Sequence, residues 1–222
     1  MMRDARIMER VAGLAGIGFA VLFVAGAFVA STPDEDQPAK WVTWYASRGH
    51  RIELLLNGYL WVVAGLCVGV MIAAAYQRFG RGTGLSGLYA VVAGVGAIVF
   101  AGVMVIAGVT VGSVAGNVMF GGTVPKNGDI LIQLTEAGYA FVLVAGGLSA
   151  ALALAAVSLL ILREGGPRWL AALGFIATIC CIVGVFFIPM VALPIWILVA
   201  SLVLVTRRSE EPIQAPSAAP AT

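Results

Sequence analysis

Six apolar runs follow one another along the chain, each closed by charge, glycine or proline: residues 11–30, 54–76, 85–111, 137–162, 169–188 and 191–205. At about 1.5 Å per helical residue, each is about long enough to cross a hydrocarbon core of about 30 Å. The last division is the least marked, because residues 186–194 read either as a tight turn or as a kinked continuation. Pro189 and Pro194 each lack an amide donor, which favours the turn. The pattern predicts an all-α integral membrane bundle of six transmembrane helices.

Charge supports the same threading. Arg3, Arg6 and Arg10 precede the first run, Arg78 and Arg81 separate the second from the third, Arg163 and Arg168 the fourth from the fifth, and Arg207 and Arg208 follow the sixth. With six spans all of these share one side. The other side receives Asp34, Glu35, Asp36 and Asp129, with Lys40, Arg48, Arg51 and Lys126 as its cations. The positive-inside rule then places both termini in the cytoplasm, whereas five spans would put Arg207 and Arg208 outside. A basic start and Ala25-Gly26-Ala27 resemble a cleavable signal, but the apolar run exceeds the usual 7 to 15 residues of one, so an uncleaved first span is expected. Residues 1–208 form one transmembrane domain. The Pro- and Ala-rich stretch 209–222 is expected to be a disordered cytoplasmic tail.

Composition removes several classes of function. A mean hydropathy of +1.01 and 11% charged residues contrast with about 25% charge in soluble domains. Net charge of +2, with basic residues scattered, gives no footprint for nucleic acid. Cys67, Cys180 and Cys181 lie in apolar runs without metal spacing and read as small buried hydrophobes. Among 28 glycines, Gly65-x-x-x-Gly69 and Gly108-x-x-x-Gly112 allow close helix packing, within the bundle before any dimer face. Gly58-Tyr59 and Gly138-Tyr139 echo each other in corresponding spans, either as a tandem repeat of hairpins or through biased composition alone.

The chemistry-bearing residues gather at the outer rim. Asp36 as a cap and Pro38 in the first turn predict a short helix carrying Trp41, Trp44, Tyr45 and Arg48 to an end at Gly49. It is expected to lie in the interface, with Trp41, Trp44 and Tyr45 as anchors in the headgroup layer. His50, Glu53, Asn57 and Trp61 then share one face of the second span, next to Arg51, and Gln133 and Glu136 share a face before the fourth. Both spans run inward, so His50, Arg51, Glu53, Asn57, Gln133 and Glu136 define a candidate outward-facing pocket. Each span is long enough without its glutamate, so both carboxylates read as interfacial rather than intramembrane. His50 reads as a solvated residue at the helix start, with a proton-responsive pairing to Glu53 as the alternative. A metal site with His50, Glu53 and Glu136 would need a further ligand from another span. No catalytic residue, metal or cofactor is assigned, since nucleophile elbows, phosphate loops and intramembrane lysines are missing from the sequence.

The segments Trp44-Tyr45-Ala46-Ser47-Arg48-Gly49-His50-Arg51-Ile52 and Pro167-Arg168-Trp169-Leu170-Ala171-Ala172-Leu173-Gly174 resemble those of uncharacterised bacterial six-span membrane proteins, a domain of unknown function. Ala171 departs from the glycine usual there. The resemblance implies a multi-pass protein of the bacterial plasma membrane and carries no chemistry. Three functions are expected in order: a non-enzymatic protein binding membrane lipids or another membrane protein, a small transporter or permease with a polar vestibule, and an intramembrane enzyme using His50, Glu53 and Glu136.

Overall fold

The computed structural model describes residues 2–79, 84–186 and 188–206, and every regular element among them is helical. Helix α1 (Met2–Val29) is followed by a short α2 (Pro38–Ala46), α3 (Arg48–Phe79), α4 (Gly84–Met119) and α5 (Gly128–Ala140). A π-helical turn (Phe141–Gly146) joins α5 without a break to α6 (Gly147–Arg163). Helix α7 (Arg168–Ile182) leads through short 3-10 turns at Gly184–Phe186 and Ile188–Val191 into α8 (Ala192–Thr206). Arg81, Phe187, Arg207, Arg208 and the tail 209–222 lie outside the described residues, as do the side chains of Arg3, Arg6 and Arg78.

Helix is the form these apolar runs must take where water is absent, because it satisfies every backbone group within the segment. Among the described residues five stretches are long and apolar enough to cross a membrane: Ile7–Val29, Arg48–Ala74, Gly84–Met119, Gly128–Arg163 and Pro189–Thr206. Arg168–Ile182 is apolar but shorter. The chain does turn between α7 and α8, with Pro189 inside a 3-10 turn and Pro194 in the first turn of α8.

Close approaches at glycine show how the rods pair. Gly26 faces Trp61 and Gly18 faces Cys67, so α1 and α3 are antiparallel. Gly58 meets Gly108 and Gly65 meets Ala101 and Met104, which sets α4 against α3. Gly138 on Val111 and Gly96 on Ser149 and Ala153 do the same for α4 and the α5–α6 rod. Gly147 on Cys181, Gly174 on Ser158, and Gly13 and Gly16 on Val205 and Ser201 complete the series. Among the described residues six rods therefore alternate in direction, and the Met2 end of α1 lies at the same end of the bundle as the Thr206 end of α8. Phe19, Phe23, Trp61, Phe100 and Met104 fill the space between them. Phe19 and Phe100 meet edge to face at 5.8 Å.

The rods overrun the apolar runs at the other end. The 36 residues of α4 reach about 54 Å against a hydrocarbon core of about 30 Å. The beginnings of α3 and α5 and the end of α4 project past Val29, where α1 stops, and α2 fills the place α1 vacates. The short helix expected in the outer interface thus packs against the protein. Gly128 abuts the Pro38 carbonyl, and seven residues further along both helices Tyr45 meets Thr135, so α2 runs alongside α5. Two local details also differ. The residue before α2 is Gln37 rather than Asp36, and it makes no side-chain cap, while Pro38 opens the helix as expected. The break after α2 falls at Ser47, in extended backbone (φ −70°, ψ 128°), and Gly49 lies within the first turn of α3.

Candidate functional site

The rim is built around α2. Its aromatic face turns into the protein rather than outward into headgroups: Trp41 and Tyr45 are both 0% exposed and Trp44 is partly covered. Trp41 donates its indole N–H to the Asp34 carbonyl at 3.1 Å, tying the linker from α1 over the cap. The Tyr45 and Thr135 hydroxyls bond at 3.0 Å, joining α2 to α5. Burial raises the Tyr45 phenol above its usual value of 10.0, and the Thr135 bond acts in the opposite direction. Three aromatic pairs stiffen the same turn, with Trp44 standing edge-on to Tyr45 at 5.5 Å.

His50 and Arg51 hold the corner between α2 and α3. The imidazole lies flat on Trp44, with ring centroids 4.6 Å apart and planes 5° from parallel. Its Nδ1–H donates to the Trp44 carbonyl at 3.1 Å, and because a carbonyl only accepts, that nitrogen carries the proton. The Arg51 Nη1 donates to the Tyr45 carbonyl at 2.6 Å and the Ala46 carbonyl at 2.9 Å. Arg51 thus satisfies carbonyls that the end of α2 leaves open, where a cation is favoured, while the Trp44 carbonyl also accepts the Ser47 backbone N–H at 3.1 Å. The expected solvated histidine is instead a staple across the corner, while Arg48 is exposed.

Along α3 the stripe continues inward to a junction with α5. Asn57 is 0% exposed and donates its amide N–H to the Tyr139 hydroxyl at 2.9 Å. One turn further, Trp61 meets Tyr139 edge to face at 5.2 Å and donates to the Phe23 carbonyl of α1 at 3.4 Å. Helices α3 and α5 run the same way, since each is antiparallel to α4. One turn outward from the Asn57–Tyr139 bond therefore brings Glu53 on α3 and Thr135 and Glu136 on α5 to a common level. Glu53 is half-buried, and its Oε2 has no hydrogen-bond partner; Asn57 Oδ1 and Arg51 Nε are likewise buried without one. Glu35, from the linker after α1, lies near enough to Glu136 for the two carboxylates to repel. Gln133 is exposed. Among the described residues no three of His, Cys, Asp and Glu group closely enough to hold a metal ion.

Beneath this polar layer is an apolar crevice of about 90 Å³, walled by Phe23, Ala27, Trp61, Tyr139, Leu143 and Met190 among others. Val24 and Phe28 also line it and are 39% and 70% exposed on the outside of the bundle, so it is reached from the side. Leu143 belongs to the π-helical turn, a distortion that recurs at functional sites. Comparison with known proteins adds nothing here. A scan against protein-family models found no matching family, and searches of curated proteins and of solved structures found no match.

Thr135, Tyr139 and the crevice are parts of the site that the residue pattern did not reveal. Thr135 is neutral and next to the more conspicuous Glu136. Tyr139 stood out only as half of the Gly-Tyr echo.

Proposed function

We propose that the chain is a non-enzymatic multi-pass protein of the bacterial plasma membrane that binds a membrane lipid at its outer rim. In this reading α7 crosses together with the turn that follows it, giving six spans, and the arginine pattern holds both termini in the cytoplasm. The resemblance to uncharacterised bacterial six-span proteins belongs to the same proposal. The observation that carries it is the apolar crevice, open on the lipid side directly below the cap.

A transporter with a polar vestibule is the weaker reading because the hydroxyls of Ser149 and Thr178 are engaged within their own helices, while those of Ser158 and Ser201 have no hydrogen-bond partner but are enclosed. Ser149 donates to the Ala145 carbonyl at 2.7 Å, and Thr178 to the Gly174 carbonyl at 2.8 Å. Ser158 and Ser201 are buried against Gly174 and Gly16 of neighbouring helices, where they fill space rather than line a path. The enzyme reading needs a free His50, and that imidazole is committed to Trp44.

Native mass spectrometry of the protein released from mild detergent is expected to show retained phospholipid. Ala27→Trp, which fills the crevice from α1, is expected to abolish retention, and Val24→Trp at its mouth to reduce it. Wild-type protein that carries no lipid, or that retains it equally after both substitutions, overturns the proposal.

A further inference from the structure

The groups above the crevice are nearly all hydrogen-bond acceptors. Asn57 spends its amide N–H on Tyr139, a crevice wall, and its Oδ1 remains buried without a partner. Glu53 lies one turn outward on the same face of α3 and keeps a buried Oε2 unpartnered. Across from it, Glu136 stands one turn outward of Tyr139, with Glu35 as its charged neighbour. A fully covered acceptor without a donor is costly, about 1–3 kcal/mol for a neutral group and more for a charged one. Such a set is explained by a donor that the protein itself does not supply.

Arg51 is not that donor. Its Nη1 is engaged by the carbonyls at the end of α2, and its Nε, though buried and without a partner, bonds to none of these acceptors. Below the acceptors the surroundings change at once to Phe23, Ala27, Phe28 and Leu143. A ligand here needs several N–H donors and a positive charge at one end, and a hydrocarbon chain at the other. Its polar end would lie level with Asn57, near where α1 stops and the apolar part of the bundle ends.

We propose that the crevice holds an acyl chain of a membrane phospholipid whose headgroup ends in a primary amine, with the ammonium seated among Glu35, Glu53, Glu136 and the Asn57 carbonyl. The assignment rests on the reading that the crevice binds lipid, and adds the headgroup. An ammonium has three N–H donors and matches carboxylates through charge-assisted bonds, which are stronger than neutral ones. Arg51 Nε, a buried donor without a partner, suits the phosphate that such a headgroup also carries. An anionic glycerol headgroup would bring its charge against Glu35 and Glu136 and offer only hydroxyl donors.

The test uses the full chain in nanodiscs containing equal parts of phosphatidylethanolamine and phosphatidylglycerol with identical acyl chains, followed by native mass spectrometry of the released protein. The expected result is about a fivefold preference for the amine-headed lipid. Glu136→Gln combined with Glu35→Gln keeps side-chain shape and is expected to remove the preference by lowering retention of the amine-headed lipid. Helical content and thermal melting of that variant show that the bundle is intact. Equal retention of both lipids by the wild type, or a preference that survives the double substitution, overturns the headgroup assignment and leaves lipid binding standing. Retention of neither lipid overturns both.

Discussion

The seam between α3 and α4 and the seam that joins α2 and α3 to α5 hold helices together by opposite means. In the first, Gly58 and Gly108 face each other, and each backbone occupies the space the other's missing side chain leaves. Gly65 repeats this further along, where an added Cβ would come within 2.9 Å of the Ala101 carbonyl. In the second, the contacts are large and polar: Tyr45 on Thr135, Asn57 on Tyr139, Trp61 on Tyr139. Helices surrounded by lipid gain nothing from merely hiding apolar surface, so their association rests on close packing. Toward the cap the rods outrun the hydrocarbon, and burying Trp41 and Tyr45 there draws on the hydrophobic effect as well. One seam should therefore be intolerant of added volume, the other of a lost polar partner.

The largest effect is expected where the first seam is overfilled. Gly58→Val drives carbon into the Gly108 carbonyl, a backbone atom that cannot move without moving α4, and is expected to cost about 3 kcal/mol. Gly69→Ala is the matched control, since nothing lies within 4 Å of its added Cβ. It is expected to be neutral or to stabilise by up to about 1 kcal/mol, because alanine is the better helix former. Unfolding in mixed micelles followed by tryptophan fluorescence compares the two. Equal effects at both positions would remove the case for a tightly packed α3–α4 seam.

A smaller effect is expected where the second seam loses a partner. Tyr139→Phe leaves the fully buried Asn57 amide without its acceptor and is expected to cost about 1–2 kcal/mol. Asn57→Ala removes the other side, and the double variant is expected to be less destabilised than the sum by about 1 kcal/mol. Strict additivity would mean that the bond contributes nothing and that shape alone holds α3 to α5.

Much of the fold could be read from the chain because apolar runs of span length have few alternatives to helix. Where each rod ends was harder to see. Helical hydrogen bonding runs on past the last apolar residue, so α3 begins at Arg48 and α5 at Gly128, before the runs at 54 and 137. The cap was misplaced for a related reason. Trp41, Trp44 and Tyr45 at helical spacing fit a lipid interface and a protein interface equally well, and only the overrun of α3, α4 and α5 supplies the protein surface that buries them. Helical periodicity sets His50, Glu53 and Asn57 on one face, but it does not say that His50 turns back onto Trp44. The echo of Gly58-Tyr59 in Gly138-Tyr139 has a packing basis at the glycines, which both press on α4 between Ala107 and Val111. It has none at the tyrosines, since Tyr59 is 66% exposed while Tyr139 bonds to Asn57.

The smallest and most selective effect is expected at the tip of the second seam. Tyr45→Phe removes one buried hydroxyl bond to Thr135 and is expected to cost about 1 kcal/mol at neutral pH. Its pH dependence tests the burial of the phenol, because the Thr135 bond shifts the group in the opposite direction. Burial holds the folded-state phenol above 10.0, so near that value the unfolded chain releases the proton more readily than the folded one. Fewer protons bound in the unfolded state means that stability falls as pH rises. The contribution is therefore fully present below about pH 10 and is lost as pH climbs through the folded-state value. Unfolding midpoints measured from neutral to strongly alkaline pH should fall more steeply in the wild type than in Tyr45→Phe, narrowing the gap between them. Parallel curves would mean that Tyr45 titrates alike in both states, and would leave the phenol without the burial that α2 and α5 give it.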